Sequence, residues 1–125
     1  TLGYVQAFDT GERDLQFVGA TRTGNTFQVS SKDSGSLQHI FVFGTPLPTG
    51  ASSPQTFGIE GSLGLDPLLP YQLYAKPADA FGRADLVGIV PPSPTLVGLE
   101  IGVQAVFVRP FNLKFSGAIC RPTIL

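Results

Sequence analysis

The sole histidine, His39, lies in SLQHIFVF, where a period of two sets it beside Leu37, Phe41 and Phe43. A nucleophilic triad would need this imidazole, a serine and a carboxylate to converge, and no Gly-x-Ser-x-Gly elbow surrounds any serine. A polar ring on an apolar face is ordinarily satisfied by a hydrogen bond, so His39 reads as a buried or interface residue. Asp9, Glu12 and Asp14 cluster in DTGERD, and oxygen-rich loops can hold calcium. The EF-hand spacing is absent and Arg13 sits among the acids, which favours a solvated turn. Asp79 and Asp85 flank Gly82 and could form the carboxylate pair that a glycosidase needs. Aspartates beside a turn more often bond their own backbone, and they read as turn-formers. GIEGSLG at 58–64 matches neither GxGxxG nor a P-loop. Cys120 is the only cysteine, so an internal disulfide and a CxxC or Cys/His zinc site are both ruled out, and any pairing of Cys120 would join two chains. No catalytic, cofactor-binding or metal-ligating residue is expected.

Binding chemistry is equally sparse. Tyr4, Tyr71 and Tyr74 with ten phenylalanines could stack on a sugar, but tryptophan is absent and most of these rings belong in a core. Gln72, Gln104 and Tyr74 are the candidates for a polysaccharide-binding face. Charged residues make up 14% of the chain against roughly 25% in an ordinary soluble domain, which leaves a surface low in charge. With a net charge of −1 and no basic run, nucleic acid is excluded as a partner. The most apolar stretch, LVGLEIGVQAVFV (96–108), is shorter than the roughly 20 residues that a membrane helix requires and carries Glu100.

These residues must be positioned by strands, because β-branched and aromatic residues recur in short runs broken by Gly, Pro, Asn and Asp, with no period of 3.6. In 96–108, Leu99, Ile101, Val103, Ala105 and Phe107 fall on one face, to be buried with Leu113 or Phe115 beyond the RPFN turn. Glu100 and Gln104 fall on the other, which should meet water or a polar partner. Runs 15–23 and 26–32 flank Gly24-Asn25 as a tight hairpin, and DSG (33–35) should fold the next strand against them as a three-strand meander. The proline-rich segment 45–56 is a surface crossover, and 62–70 should form an irregular lid over one end of the core. Runs 71–77 and 83–90 should form a hairpin with Gly82 in the left-handed region. The fold expected is all-β, a β-sandwich of Greek-key or jelly-roll type with eight or nine short strands, an up-and-down barrel being the alternative. Residues 1–14 comprise an N-terminal strand and polar hinge, and 15–125 the sandwich.

The order of pieces from 41 to 119 resembles a class of secreted β-domains of unassigned function common in planctomycetes and related environmental bacteria. The resemblance is carried by Leu73-Tyr74, the Asp79 to Ala84 turn, Pro91 to Pro94, Leu96 to Ala105 and the closing LKFSGAI. It implies export and a β-fold, and supplies no catalytic residues. Family members often carry Pro-Gly-Cys where this chain has Leu69-Pro70-Tyr71, which removes a disulfide.

The chain starts at Thr1 without a charged leader and apolar region, as expected of a trimmed chain or of a mature product whose signal peptide has been removed, located outside the cell or on its surface. LGYVQAF (2–8) has no charge to guard a sheet edge and precedes the charged run 9–14. It is expected to pair with another copy, Leu2, Tyr4, Gln6 and Phe8 being the anchoring face, in a homo-oligomer or polymer built by β-strand addition. The alternative is a non-catalytic polysaccharide-binding module of a larger secreted protein.

Overall fold

The computed structural model describes residues 5–7, 14–19, 22–48, 50–53 and 57–125. Its strands are β1 (Val5–Ala7), β2 (Leu15–Gly19), β3 (Thr26–Lys32), β4 (Gln38–Gly44), β5 (Gln72–Pro77), β6 (Arg83–Ile89), β7 (Gly102–Val108), β8 (Leu113–Phe115) and β9 (Ala118–Cys120), with a 3-10 turn at Pro94–Leu96. They form two antiparallel sheets, one in the order β1-β9-β7-β4-β5 with β8 also on β7, the other β2-β3-β6. The chain is a β-sandwich, as its patterning predicts.

The alternation of β7 sets the layers. Val103, Ala105 and Phe107 point between the sheets and meet Leu15 and Phe17 of β2, Val29 of β3, Phe41 of β4 and Ala84 of β6. Phe115 is not with them. Its register partner is Val106, and cross-strand partners share a face, so Phe115 lies on the outer side of the large sheet while Leu113 stays exposed. Ala118 and Cys120 take the inner places instead, because the chain breaks at Ser116-Gly117 before it rejoins the sheet as β9. That break is closed by hydrogen bonds: Asp14 accepts from the amides of Gly117 and Ala118, and Ser116 Oγ accepts from Ala105 N while donating to the Ala118 carbonyl.

Four expected neighbourhoods differ. β3 pairs with β6 rather than β4, and β5 pairs with β4 rather than β6, so neither the meander nor the 71–90 hairpin forms. Both turns are instead corners between sheets, and they interlock: Asp33 N donates to the Gly82 carbonyl and Ala78 N to that of Leu37. Gly82 does adopt positive φ (76°), and a side chain there would drive its Cβ to 2.3 Å from the Asp33 carbonyl oxygen. The strands around Gly24-Asn25 stop at Gly19 and Thr26, which makes that connection a longer loop than a two-residue hairpin. Finally, the segment expected to cap one end of the core lies across the outer face of the large sheet, where Leu63 and Leu65 build a second core with Val42, Val106, Phe115 and Ile119.

Of the N-terminal anchors, Leu2, Tyr4 and Phe8 lie outside the described residues. Gln6 belongs to β1, whose expected place is on another copy but which here pairs with β9 of its own chain in the register Val5↔Cys120, Gln6↔Ile119 and Ala7↔Ala118. Among the described residues no helix is long and apolar enough to cross a membrane.

Candidate functional site

At the flank where β5 and β6 form the free edges of the two sheets, the sandwich opens into a cleft of about 390 Å³. The sequence builds it from mismatched widths, since a sheet of six described strands cannot be fully covered by one of three, and β5 is exposed at each of its six residues. One wall is a chain of rings. Phe17 stacks on Phe27 at 5.4 Å, Phe27 meets Phe43 edge-on at 5.9 Å, and Phe43 meets Tyr74 edge-on at 5.5 Å. Phe27 can lie over β6 only because its register partner is Gly88, where a Cβ would stand 2.7 Å from the Phe27 ring. No charged side chain lines the cleft among the described residues. Its polar side chains are Gln72 and Tyr74, and the Tyr74 hydroxyl donates to Gln72 Oε1 at 2.6 Å.

The sequence candidates for chemistry are placed elsewhere. His39 is fully buried between the sheets, edge-on to Phe107, with Nδ1 2.5 Å from Ser31 Oγ of the opposing sheet. Ser31 Oγ also donates to the Ala84 carbonyl, and the arrangement that serves both contacts has Nδ1–H donating to Ser31. Burial lowers the His39 pKa against the pull of Asp33 and Asp79, so the ring is held neutral. The pair bonds the two sheets inside the core, with both residues closed to solvent. Asp33, the acid nearest in charge, is engaged elsewhere. Burial raises its pKa, but hydrogen bonds from the Arg109 guanidinium at 2.9 and 2.6 Å and from Ser36 outweigh this and hold it below the ordinary value.

Asp79 accepts from the amides of Phe81 and Arg83, which lowers its pKa, and is the turn-former its spacing suggests. Asp85 stands on β6, in register with Ser30, while the Asp79 carboxylate is taken up by the turn amides. Asp14 caps the Ser116-Gly117 break, while Asp9 and Glu12 lie outside the described residues. Among the described residues no three His, Cys, Asp or Glu side chains converge on a metal position. Cys120 is buried, and burial pushes its thiol up to about 12, so it stays protonated at neutral pH.

Of the carbohydrate candidates, Gln104 is withdrawn. Its side chain is fully buried, with Oε1 accepting from Gly64 N and Nε2 donating to the carbonyls of Ser62 and Ser116. Gln72 and Tyr74 are exposed and sit together at the cleft. The cleft itself was not legible in the sequence. Its rings are spread over four strands, and only the uncharged start of β5 (Gln72–Ala75) and end of β6 (Leu86–Ile89) hinted at an apolar flank.

Fold and cleft define a β-sandwich with an apolar opening between its sheets. Compared with protein-family models, curated proteins and solved structures, the chain matches none.

Proposed function

We propose that this protein is an exported, non-catalytic structural subunit that assembles into an extracellular or cell-surface filament or layer by exchanging its N-terminal strand between copies. One observation carries the reading. Among the described residues β1 is an edge strand paired at three positions, and the charged run that follows it in sequence leads to Asp14, which is pinned at the same Gly117-Ala118 break. The pairs that Val5–Ala7 make with β9 are backbone pairs, so the same residues of a second copy fit the same place at no loss of contacts. The intervening residues 8–13, when extended, reach roughly 20 Å, enough to hand the strand to a neighbour. Passed from copy to copy without closing, the exchange gives a polymer. Export rests on the low charge, the glycine and proline content and the resemblance to secreted β-domains.

The register supplies the experiment. Val5 is opposite Cys120, so a Val5→Cys variant refolded in an oxidising glutathione buffer bridges whichever two strands have paired. Exchange yields a ladder of covalent multimers on denaturing gels and polymers in electron micrographs. A single internally bridged monomer at every protein concentration sinks the reading. The alternative, a polysaccharide-binding module, is favoured by Gln72 and Tyr74, an exposed ring fixed beside a carboxamide. It predicts retention on an insoluble polysaccharide that Tyr74→Ala abolishes.

A further inference from the structure

We infer that the cleft between the sheets is a binding site for an uncharged aromatic molecule of about two rings. Its volume, about 390 Å³, falls among the roughly 300–1,000 Å³ of small-molecule sites and well above the roughly 150 Å³ of an apolar cavity that accepts benzene. The rings of Phe17, Phe27, Phe43 and Tyr74 pack on one another in a wall that runs from the core to the exposed flank, so a flat guest would meet their remaining faces and edges. Leu86 and Ile101 supply aliphatic surface around the rings. An ionised group has no counter-charge here among the described residues, and burying it unpaired is costly, so the guest is neutral. The hydrogen-bonded Gln72 and Tyr74 place polar atoms where a hydroxyl or carbonyl on the guest could be met. The site differs from a polysaccharide platform in chemistry, because among the described residues its lining has no polar side chain beyond that pair, and it draws on neither β1 nor β9.

The test uses the neutral two-ring fluorophore 6-propionyl-2-dimethylaminonaphthalene with the full chain. The expected result is saturable binding, displaced by 2-naphthol and at least about tenfold less readily by 2-naphthalenesulfonate, since the sulfonate brings a charge into an apolar site. Leu86→Trp fills the cleft and should lower probe affinity at least about tenfold while circular dichroism stays that of a folded β-protein. Should that variant not fold, Tyr74→Trp serves, because the residue is 45% exposed and the native chain has no tryptophan. Bound probe should then accept emission from the introduced indole. The assignment is overturned by an absence of saturable binding, by equal displacement by the sulfonate, by displacement by 1-decanol in preference to 2-naphthol, or by binding without energy transfer.

Discussion

Phe107 and His39 face each other across β7 and β4, in register and 4.8 Å apart between ring centres, and together they set the character of the core. Phe107 is fully buried, so Phe107→Ala should cost about 3–5 kcal/mol, a large part of the roughly 5–15 kcal/mol that holds a domain together. A urea midpoint close to that of the wild type would show that the ring contributes little. The effect of His39 is on pH dependence. Its pKa is lowered by burial, so on acidification the unfolded chain takes up a proton near the ordinary value of 6.5 while the folded chain does not. Stability is therefore complete above about 6.5 and is lost as pH falls toward the depressed native value. Asp33, also lowered, adds a loss in the same direction beginning near 3.8. His39→Gln should flatten the upper limb and leave the lower one, which denaturation followed from neutral to acid pH will read.

At the scale of elements, the crossover from β4 to β5 behaves as part of the sandwich. Leu63 and Leu65 cover the outer face of the large sheet, and Gln104 fastens the segment through Gly64 and Ser62 while reaching Ser116 beside β8. One glutamine thus satisfies three backbone groups. Gln104→Leu keeps the volume and strands those groups, at about 1–3 kcal/mol for each that water cannot reach. Hydrogen exchange should show the loss first as faster exchange of the Gly64 amide, and unchanged protection there would mean that the apolar contacts alone hold the segment. Asp14 plays a comparable part at the other side of β8–β9, where its carboxylate replaces the ladder bonds missing at Gly117 and Ala118.

For the whole molecule, the described residues of both cores come from 15–125, so the sandwich should stand without its N-terminal strand. Deleting Thr1 to Phe8 should leave a cooperatively melting monomer with the β9 edge open. A synthetic peptide TLGYVQAF should then bind it and raise its melting temperature. A deletion that never folds would place the strand among the obligatory elements of its own domain. The opposite flank stays exposed in either case. Val87 and Ile89 on β6 and Leu73 on β5 are each more than half exposed there, beside the cleft.

The all-β class, most of the strands and the inward face of β7 followed from the sequence alone, because alternation and turn residues are local properties of the chain. The long strand expected over 96–108, however, is confined to Gly102–Val108, with a 3-10 turn at Pro94–Leu96 and Leu99 left exposed, and 113–119 is split into β8 and β9. Burial of His39 followed from its place on such a face, and the turn-forming part of Asp79 from its neighbours. Sheet membership did not follow. DSG and ADAFG have the composition of hairpin turns, and nothing within them states that the next strand will cross to the other sheet. That is decided by where apolar faces can be buried together, which depends on strands far apart in sequence. The same holds for Gln104, whose polarity suggested an open face until the 62–65 segment closed over it, and for Phe115, whose register with Val106 sets it in the outer core. The cleft is the extreme case: four rings on four strands meet only because a five-strand path is faced by three strands, and that mismatch exists only in the folded chain.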